Sequence, residues 1–159
     1  MAAEIVERAQ GAEGLAIVGI RTRGVPLASR LRAKIQQIEG HAPLQGALDI
    51  TLYRDYVAET PRALVRSTDV LFDVTGRTIV LVDDVLYTGR TVRAALDALM
   101  DLGRPKAVRL AVLCERGGRE LPISADHVGL ALDVKDDEKV IVQLVATDGV
   151  DRVLVRSRP

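Results

Sequence analysis

Residues 78–91 read T-I-V-L-V-D-D-V-L-Y-T-G-R-T. After Thr78 comes an unbroken apolar run, Ile79-Val80-Leu81-Val82, closed by Asp83 and Asp84. A short continuous run of this kind fits a strand buried on both faces, as in a parallel sheet. Tyr87-Thr88-Gly89-Arg90-Thr91 follows and opens a helix from about Thr91. The stripe of that helix is Val92, Ala95, Leu96, Leu99 and Leu102, stopped by Gly103 and Pro105. In open α/β sheets ligands bind beyond the carboxyl ends of the strands. A Thr-Gly-Arg-Thr turn at a helix N-terminus offers free backbone N–H groups, two hydroxyls and the positive end of the helix dipole, the parts of a monophosphate cradle. Gly89 lets the backbone approach an anion closely. Acids beside a phosphate are unfavourable unless the ligand also presents hydroxyls or a magnesium ion, which prefers oxygen ligands. The stretch therefore points to a ribose 5-phosphate.

The same alternation runs outward from it. Residues 15–20, 48–52, 108–114 and 127–132 are further short apolar runs. Ala28, Leu31, Ile35 and Ile38 form a helical stripe that Gly40 stops. Strands alternating with helices predict right-handed βαβ units and a doubly wound α/β sheet. Residues 54–77 lack periodicity, and a loop of that length in a compact domain is often functional. They read as a lid, with Leu64-Val65 and Val70-Leu71 able to pair as a hairpin. Residues 140–145 and 153–155 around Asp148-Gly149 predict a C-terminal hairpin with an Asp-Gly turn. No repeat or linker interrupts residues 1–159, which form one domain.

Composition narrows the function classes. The 159 residues carry 22 Lys+Arg and 22 Asp+Glu, so net charge does not mark a purely electrostatic nucleic-acid binder. Tyr53, Tyr56, Tyr87 and Phe72 are the only aromatics, too few for a base-stacking platform. Cys114 is the one cysteine, which excludes a disulfide framework and a cysteine zinc site. No apolar run approaches the ~20 residues of a membrane span, and Met1-Ala2-Ala3-Glu4 does not begin a signal peptide. A reduced, cytoplasmic protein is the expectation. Gly-x-Gly-x-x-Gly, the P-loop and the Gly-x-Ser-x-Gly elbow are all absent.

Residues 78–91 resemble the PRPP-binding motif of type I phosphoribosyltransferases. With G-L-A-I-V-G-I-R-T-R-G-V-P-L-A, L-D-I-T-L-Y-R-D and R-G-G-R-E-L-P-I in order, the chain is similar to the PyrR family of pyrimidine-operon attenuation regulators and uracil phosphoribosyltransferases. The resemblance implies a type I phosphoribosyltransferase fold. That fold has a mostly parallel sheet flanked by helices, a hairpin lid at 54–77, and a hood and C-terminal hairpin over 123–159. It implies that Asp83 and Asp84 hold the ribose hydroxyls and, with water, Mg²⁺. Tyr87, Thr88, Gly89, Arg90 and Thr91 would hold the 5-phosphate, and Val85 and Leu86 would line the substrate site with them. Arg21, Thr22, Arg23 and Gly24 would form the pyrophosphate loop, with a cis peptide near Thr22-Arg23, and Arg23 would meet the pyrophosphate. Arg54 and Arg66 become phosphate contacts from the lid, and Arg116, His127 and Asp133 further substrate contacts. Arg23, Asp83 and Asp84 carry the catalytic role, with no general base in view. The implied partners are PRPP, uracil, UMP and pyrimidine-operon leader RNA, in a homodimer or homotetramer. Arg30, Arg32, Lys34 and Arg119 are the candidate RNA contacts.

The chain departs from the family pattern in three places. It begins inside the expected first helix. Gly118 stands where a His is usual, and Ser124 near where a basic residue is expected. Gly129-Leu130-Ala131-Leu132-Asp133 replaces a Gly-Lys-Asn run. These changes thin the basic surface, and each lost phosphate contact lowers RNA affinity and its salt dependence. The alternative reading is a plain uracil or 6-oxopurine phosphoribosyltransferase without RNA function. A nucleotide sensor with vestigial catalysis is a third.

Overall fold

The computed structural model describes residues 1–54 and 68–157. β1 (Leu15–Ile20) is buried at every position, as a strand covered on both faces must be. β2 (Leu44–Leu48), β3 (Thr78–Leu86), β4 (Ala107–Arg116) and β5 (His127–Leu132) join it in the order β2-β1-β3-β4-β5. Every neighbouring pair is parallel. α1 (Ala2–Ala9) and α2 (Gly24–Glu39) cover one face, and α3 (Arg90–Met100) covers the other.

The period-2 alternation of β1 assigns its side chains to these two layers. Leu15 and Ile17 pack with Ile5, Ala28, Ile35, Val80 and Val82. Ala16, Val18 and Ile20 pack with Leu81, Val92, Ala95 and Leu99. The chain leaves β1 toward β2 on one side and returns as β3 on the other. The β1–β3 seam is thus the point where strand order reverses, and both strands end at the same edge.

A second, two-stranded sheet pairs β6 (Glu138–Gln143) with β7 (Arg152–Ser157) antiparallel. Val140, Val142 and Leu144 anchor it against Cys114, Val85 and Leu113. Among the described residues no helix is long and apolar enough to cross a membrane.

Several boundaries differ from the sequence reading. The expected strand at 48–52 lies four residues earlier, at Leu44–Leu48. Asp49 Oδ1 accepts from the Thr51 amide at 2.9 Å and the Thr51 hydroxyl at 2.5 Å, and this Asx turn rolls the chain into a 3₁₀ turn at Thr51–Tyr53. β3 runs on to Leu86, so Asp83 and Asp84 stand within the strand. The tail is a hairpin, but its connection is α4 (Val145–Asp148) rather than a two-residue Asp-Gly turn. The Asp148 amide donates to Leu144 O at 2.6 Å and closes a helical turn, which Gly149 caps at φ 74°. Ile38 is half exposed at the end of its stripe. Half of the expected lid hairpin, with Arg66, lies outside the described residues. Beside it, Asp69 forms an isolated bridge to Ala47 of β2.

Candidate active site

The carboxyl ends of β1 and β3 stand side by side and build one cavity of about 270 Å³, lined by Arg21, Thr22, Arg23, Arg54, Asp83, Asp84 and Thr91. Arg21, Thr22 and Arg23 leave β1 through a cis peptide at Arg21–Thr22, one bond before the expected position. α2 then starts at Gly24, packed against the β3 backbone: a Cβ on Gly24 would lie 2.3 Å from Val82 O.

On β3 the Asp84 amide donates to Asp83 Oδ1 at 2.9 Å, and the Val85 amide to Asp84 Oδ1 at 3.0 Å. Asp83 is 6% exposed. Burial, and then the charge of Asp84, push its carboxyl well above the usual carboxylate range. Above the unfolded-state value of about 3.9 the unfolded chain ionises this acid readily while the fold resists, so stability falls as pH rises toward the folded value. Asp83→Asn is therefore expected to be more stable than the wild type at pH 7, with the difference vanishing below about pH 4. Denaturation midpoints measured from pH 4 to 8 check this; equal midpoints at pH 7 contradict it.

The Tyr87–Gly89 turn enters α3 through Gly89, φ 92°, and Thr88 Oγ1 accepts from the Arg90 amide at 3.3 Å. A neighbouring segment fixes this turn. The Glu120 and Leu121 amides donate to Thr88 O at 2.9 and 3.1 Å. Arg119 donates to Tyr87 O and to Ile123 O and pairs with Glu115 at 2.6 Å, and Arg90 pairs with Glu120 at 2.6 Å. Arg116 is 3% exposed and donates to the carbonyls of Gly117, Lys135 and Glu138 at 3.1, 3.1 and 2.6 Å. Its guanidinium carbon lies 4.2 Å from the centre of the Tyr87 ring, a cation–π contact. The same ring explains the small residue at 118. Gly118 has φ 102°, and a Cβ there would stand 2.4 Å from Tyr87 Cε2.

The structure thus brings Thr22, Arg23, Arg54, Asp83, Asp84, Val85 and Thr91 together around one cavity, with Gly24 and the Tyr87–Arg90 turn next to them in sequence. Leu86 is instead buried in the hydrophobic core, because its side chain points to the α3 face of the sheet. The fold moves other candidates elsewhere. His127 opens β5, in register with Ala111, whereas Leu132 is in register with Arg116 at the site's edge. Five residues of strand at ~3.3 Å each put it about 16 Å away. It is 2% exposed, 3.3 Å from Glu4, and lines a cavity with Arg8 and Lys106 at the opposite edge of the sheet. Arg116 serves backbone carbonyls and Tyr87, and Arg119 clips the Tyr87–Gly89 turn, so neither stands free on an RNA-facing surface. On α2, Arg30 pairs with Asp151 at 2.7 Å, Arg32 donates to Pro43 O at 2.9 Å, and exposed Lys34 donates to Gln37 at 3.3 Å.

Asp133 lines a second cavity of about 490 Å³ with Glu115, Arg119 and Leu132, at the ends of β4 and β5. Glu115 was not singled out in the sequence, and Asp148, read there only as a turn residue, forks with Arg23 at 2.8 and 3.3 Å. Arg23 and its other contacts hold Asp148 down at about 2.

Among the described residues no group of three or more His, Cys, Asp or Glu side chains could hold a metal. Asp83 and Asp84 offer an oxygen pair at the cavity wall. That donor set fits a magnesium ion that keeps most of its coordination from water and a phosphate-bearing ligand.

Comparison with known proteins agrees with this geometry. A model of the phosphoribosyl transferase domain matches residues 1–148. The "Bifunctional protein PyrR" of Deinococcus radiodurans is 58% identical over 154 residues, covering 96% of this chain and 84% of that protein. That of Thermus thermophilus is 58% identical over 154 residues, covering 96% and 85%. That of a Thermoanaerobacter species is 52% identical over 159 residues, covering 99% and 89%. Among solved structures, the hypoxanthine phosphoribosyltransferase from Trypanosoma cruzi in complex with the product IMP superposes with a TM-score of 0.61 at 18% identity, covering 82% of this chain and 67% of that chain. A hypoxanthine-guanine phosphoribosyltransferase from Bacillus anthracis gives 0.60 at 19%, covering 82% and 74%. At these identities the structures share the fold.

Proposed function

Because the chain belongs to the PyrR family and carries a phosphoribosyl transferase domain, we propose that it joins uracil to the ribose 5-phosphate of PRPP, releasing diphosphate and forming UMP, and that UMP in the same site favours binding to pyrimidine-operon leader RNA. The observation that carries the reading is the single cavity where Arg21-Thr22-Arg23 of the β1 end meets Asp83 and Asp84 of the β3 end, with the Thr88–Thr91 turn beside it.

Each part of PRPP has a chemically matched partner. The amides and hydroxyls at the start of α3 suit the 5-phosphate. The Asp83 and Asp84 carboxyl oxygens suit the vicinal hydroxyls, from which they can accept hydrogen bonds. Arg23 suits the diphosphate, because a planar guanidinium matches phosphate oxygens in pairs. Magnesium, held by Asp83, Asp84, water and the ligand, would neutralise the departing diphosphate. Uracil presents an N–H between two carbonyls, and the second cavity answers with the Glu115 and Asp133 carboxylates and the Arg119 guanidinium. No side chain is assigned as a general base. Residues 54–77 are proposed as the lid that keeps water from the reacting carbon, since hydrolysis is the competing reaction.

The test is direct competition. Purified protein with PRPP and Mg²⁺ is offered uracil, hypoxanthine and guanine together, and UMP is the expected product. IMP or GMP as the main product overturns the base assignment. No nucleotide from any of the three overturns the enzymatic reading.

A further inference from the structure

We propose that Asp148 is a positioning residue for the diphosphate site, holding the Arg23 guanidinium at the angle a bound diphosphate requires. The inference rests on the reading that Arg23 meets the diphosphate.

Arg23 precedes α2 and lines the 270 Å³ cavity with Asp83 and Asp84. Its fork faces a residue 125 positions away in sequence: Nη2 donates to Asp148 Oδ1 at 2.8 Å and Nε to Asp148 Oδ2 at 3.3 Å. Asp148 is itself fixed. Its Oδ2 accepts from the Leu144 amide at 2.9 Å and the Thr147 hydroxyl at 2.8 Å. Leu144 is buried with Val140 and Val142 against Cys114 of β4, so the carboxylate is tied to the main sheet. Its side chain is 15% exposed and that of Arg23 35%.

A guanidinium has five N–H groups. The fork with Asp148 uses two and leaves three for an incoming anion. The acid therefore orients the arginine without exhausting it. The alternative orientation is unproductive. Asp84 also acts on the Arg23 charge. Without Asp148, the guanidinium is free to turn toward the Asp83–Asp84 pair, closing the space where ligand binds. An acid facing the diphosphate would repel it, but the Asp148 oxygens are engaged by Arg23, Leu144 and Thr147. The second sheet thereby acquires a role in substrate binding through this one carboxylate.

The test uses the full chain and separates ligands with and without a diphosphate. Asp148→Asn keeps an oxygen for Leu144 and Thr147 but removes the charged fork. Calorimetric affinities for PRPP and inorganic diphosphate are expected to fall about tenfold or more, the scale of a lost charge-assisted hydrogen bond. UMP affinity is expected to stay within about threefold of the wild type, and the KM for PRPP to rise with kcat nearly unchanged. In an Arg23→Gln background the same replacement is expected to add nothing. Arg23→Lys, which keeps the charge but has no fork, is the second variant and is expected to lose PRPP affinity while retaining UMP. Parallel loss of UMP and PRPP affinity, unchanged PRPP affinity in Asp148→Asn, or a full Asp148 effect in the Arg23→Gln background overturns the proposal. The binding arms need no turnover. A protein that fails to convert uracil therefore fails the proposed reaction without deciding this test, and normal diphosphate binding by Arg23→Gln refutes the role of Arg23 itself.

Discussion

Replacing Asp84 by Asn is expected to lower kcat/KM for PRPP by about 100-fold and to leave the fold intact. Asp84 stands half-buried near the end of β3 with one oxygen on the Val85 amide and its side chain in the cavity wall. Two ribose hydroxyls donating to it are worth roughly 1.5 kcal/mol each at the low end for a charged acceptor. With 1.36 kcal/mol per factor of ten, the pair accounts for about two decades. An amide in its place can accept one bond but turns an N–H₂ group toward the second hydroxyl. Stability is expected to change by less than about 0.5 kcal/mol, because the substitution opens no cavity and strands no buried group. Steady-state kinetics with a denaturation curve check both halves. A change in kcat/KM below threefold removes Asp84 from the ribose site.

Gly24→Ala carries the largest expected structural effect. Its Cβ would lie 2.3 Å from Val82 O and 3.2 Å from Val82 C, both backbone atoms of the central strand that cannot rotate away. Gly19 meets the other side of the same junction: a Cβ there would stand 2.5 Å from Gly24 O and 2.6 Å from Val25 Cα. The two glycines let α2 start directly against β1 and β3, which is what brings Arg21-Thr22-Arg23 beside Asp83. Overpacking of this kind costs up to about 3 kcal/mol. For a chain this long that is a fall of about 6–12 °C in the thermal midpoint. PRPP binding is expected to be lost with it, because α2 can relieve the clash only by lifting the Arg21-Thr22-Arg23 loop off the cavity. Gly117→Ala is the control, with nothing within 4 Å of its Cβ. A Gly24→Ala midpoint equal to that of Gly117→Ala contradicts the close-packing account.

What could be read in the sequence followed from local rules. The run from Thr78 to Val82, the two acids after it and the Thr-Gly-Arg-Thr turn need only strand burial and helix-terminus chemistry to be interpreted, and they follow one another in β3 and the start of α3. The Leu15–Ile20 run was equally plain, being buried on both faces. The features that escaped depend on partners distant in the chain. Arg116 looks like a surface cation until Lys135 and Glu138 are folded over it. Arg119 looks like an RNA contact until the Thr88 turn lies beside it. His127 belongs to the expected strand but opens it, at the amino end, whereas ligands in such a sheet bind beyond the carboxyl ends. Asp148 read as a turn residue, and its turn is helical because its own carboxylate takes the Leu144 amide. The shift of β2 had a visible signal in Asp49 and Thr51, an Asx turn that the apolar run concealed.

The central claim is that one site at the β1–β3 seam serves both nucleotide chemistry and regulation. A filter-binding titration of the protein against its pyrimidine leader RNA, with and without UMP, in the wild type and in Asp84→Asn, tests it most directly. The account predicts that UMP tightens RNA binding by the wild type and has little effect on Asp84→Asn. RNA affinity indifferent to UMP in the wild type, or an equal UMP response in Asp84→Asn, contradicts it.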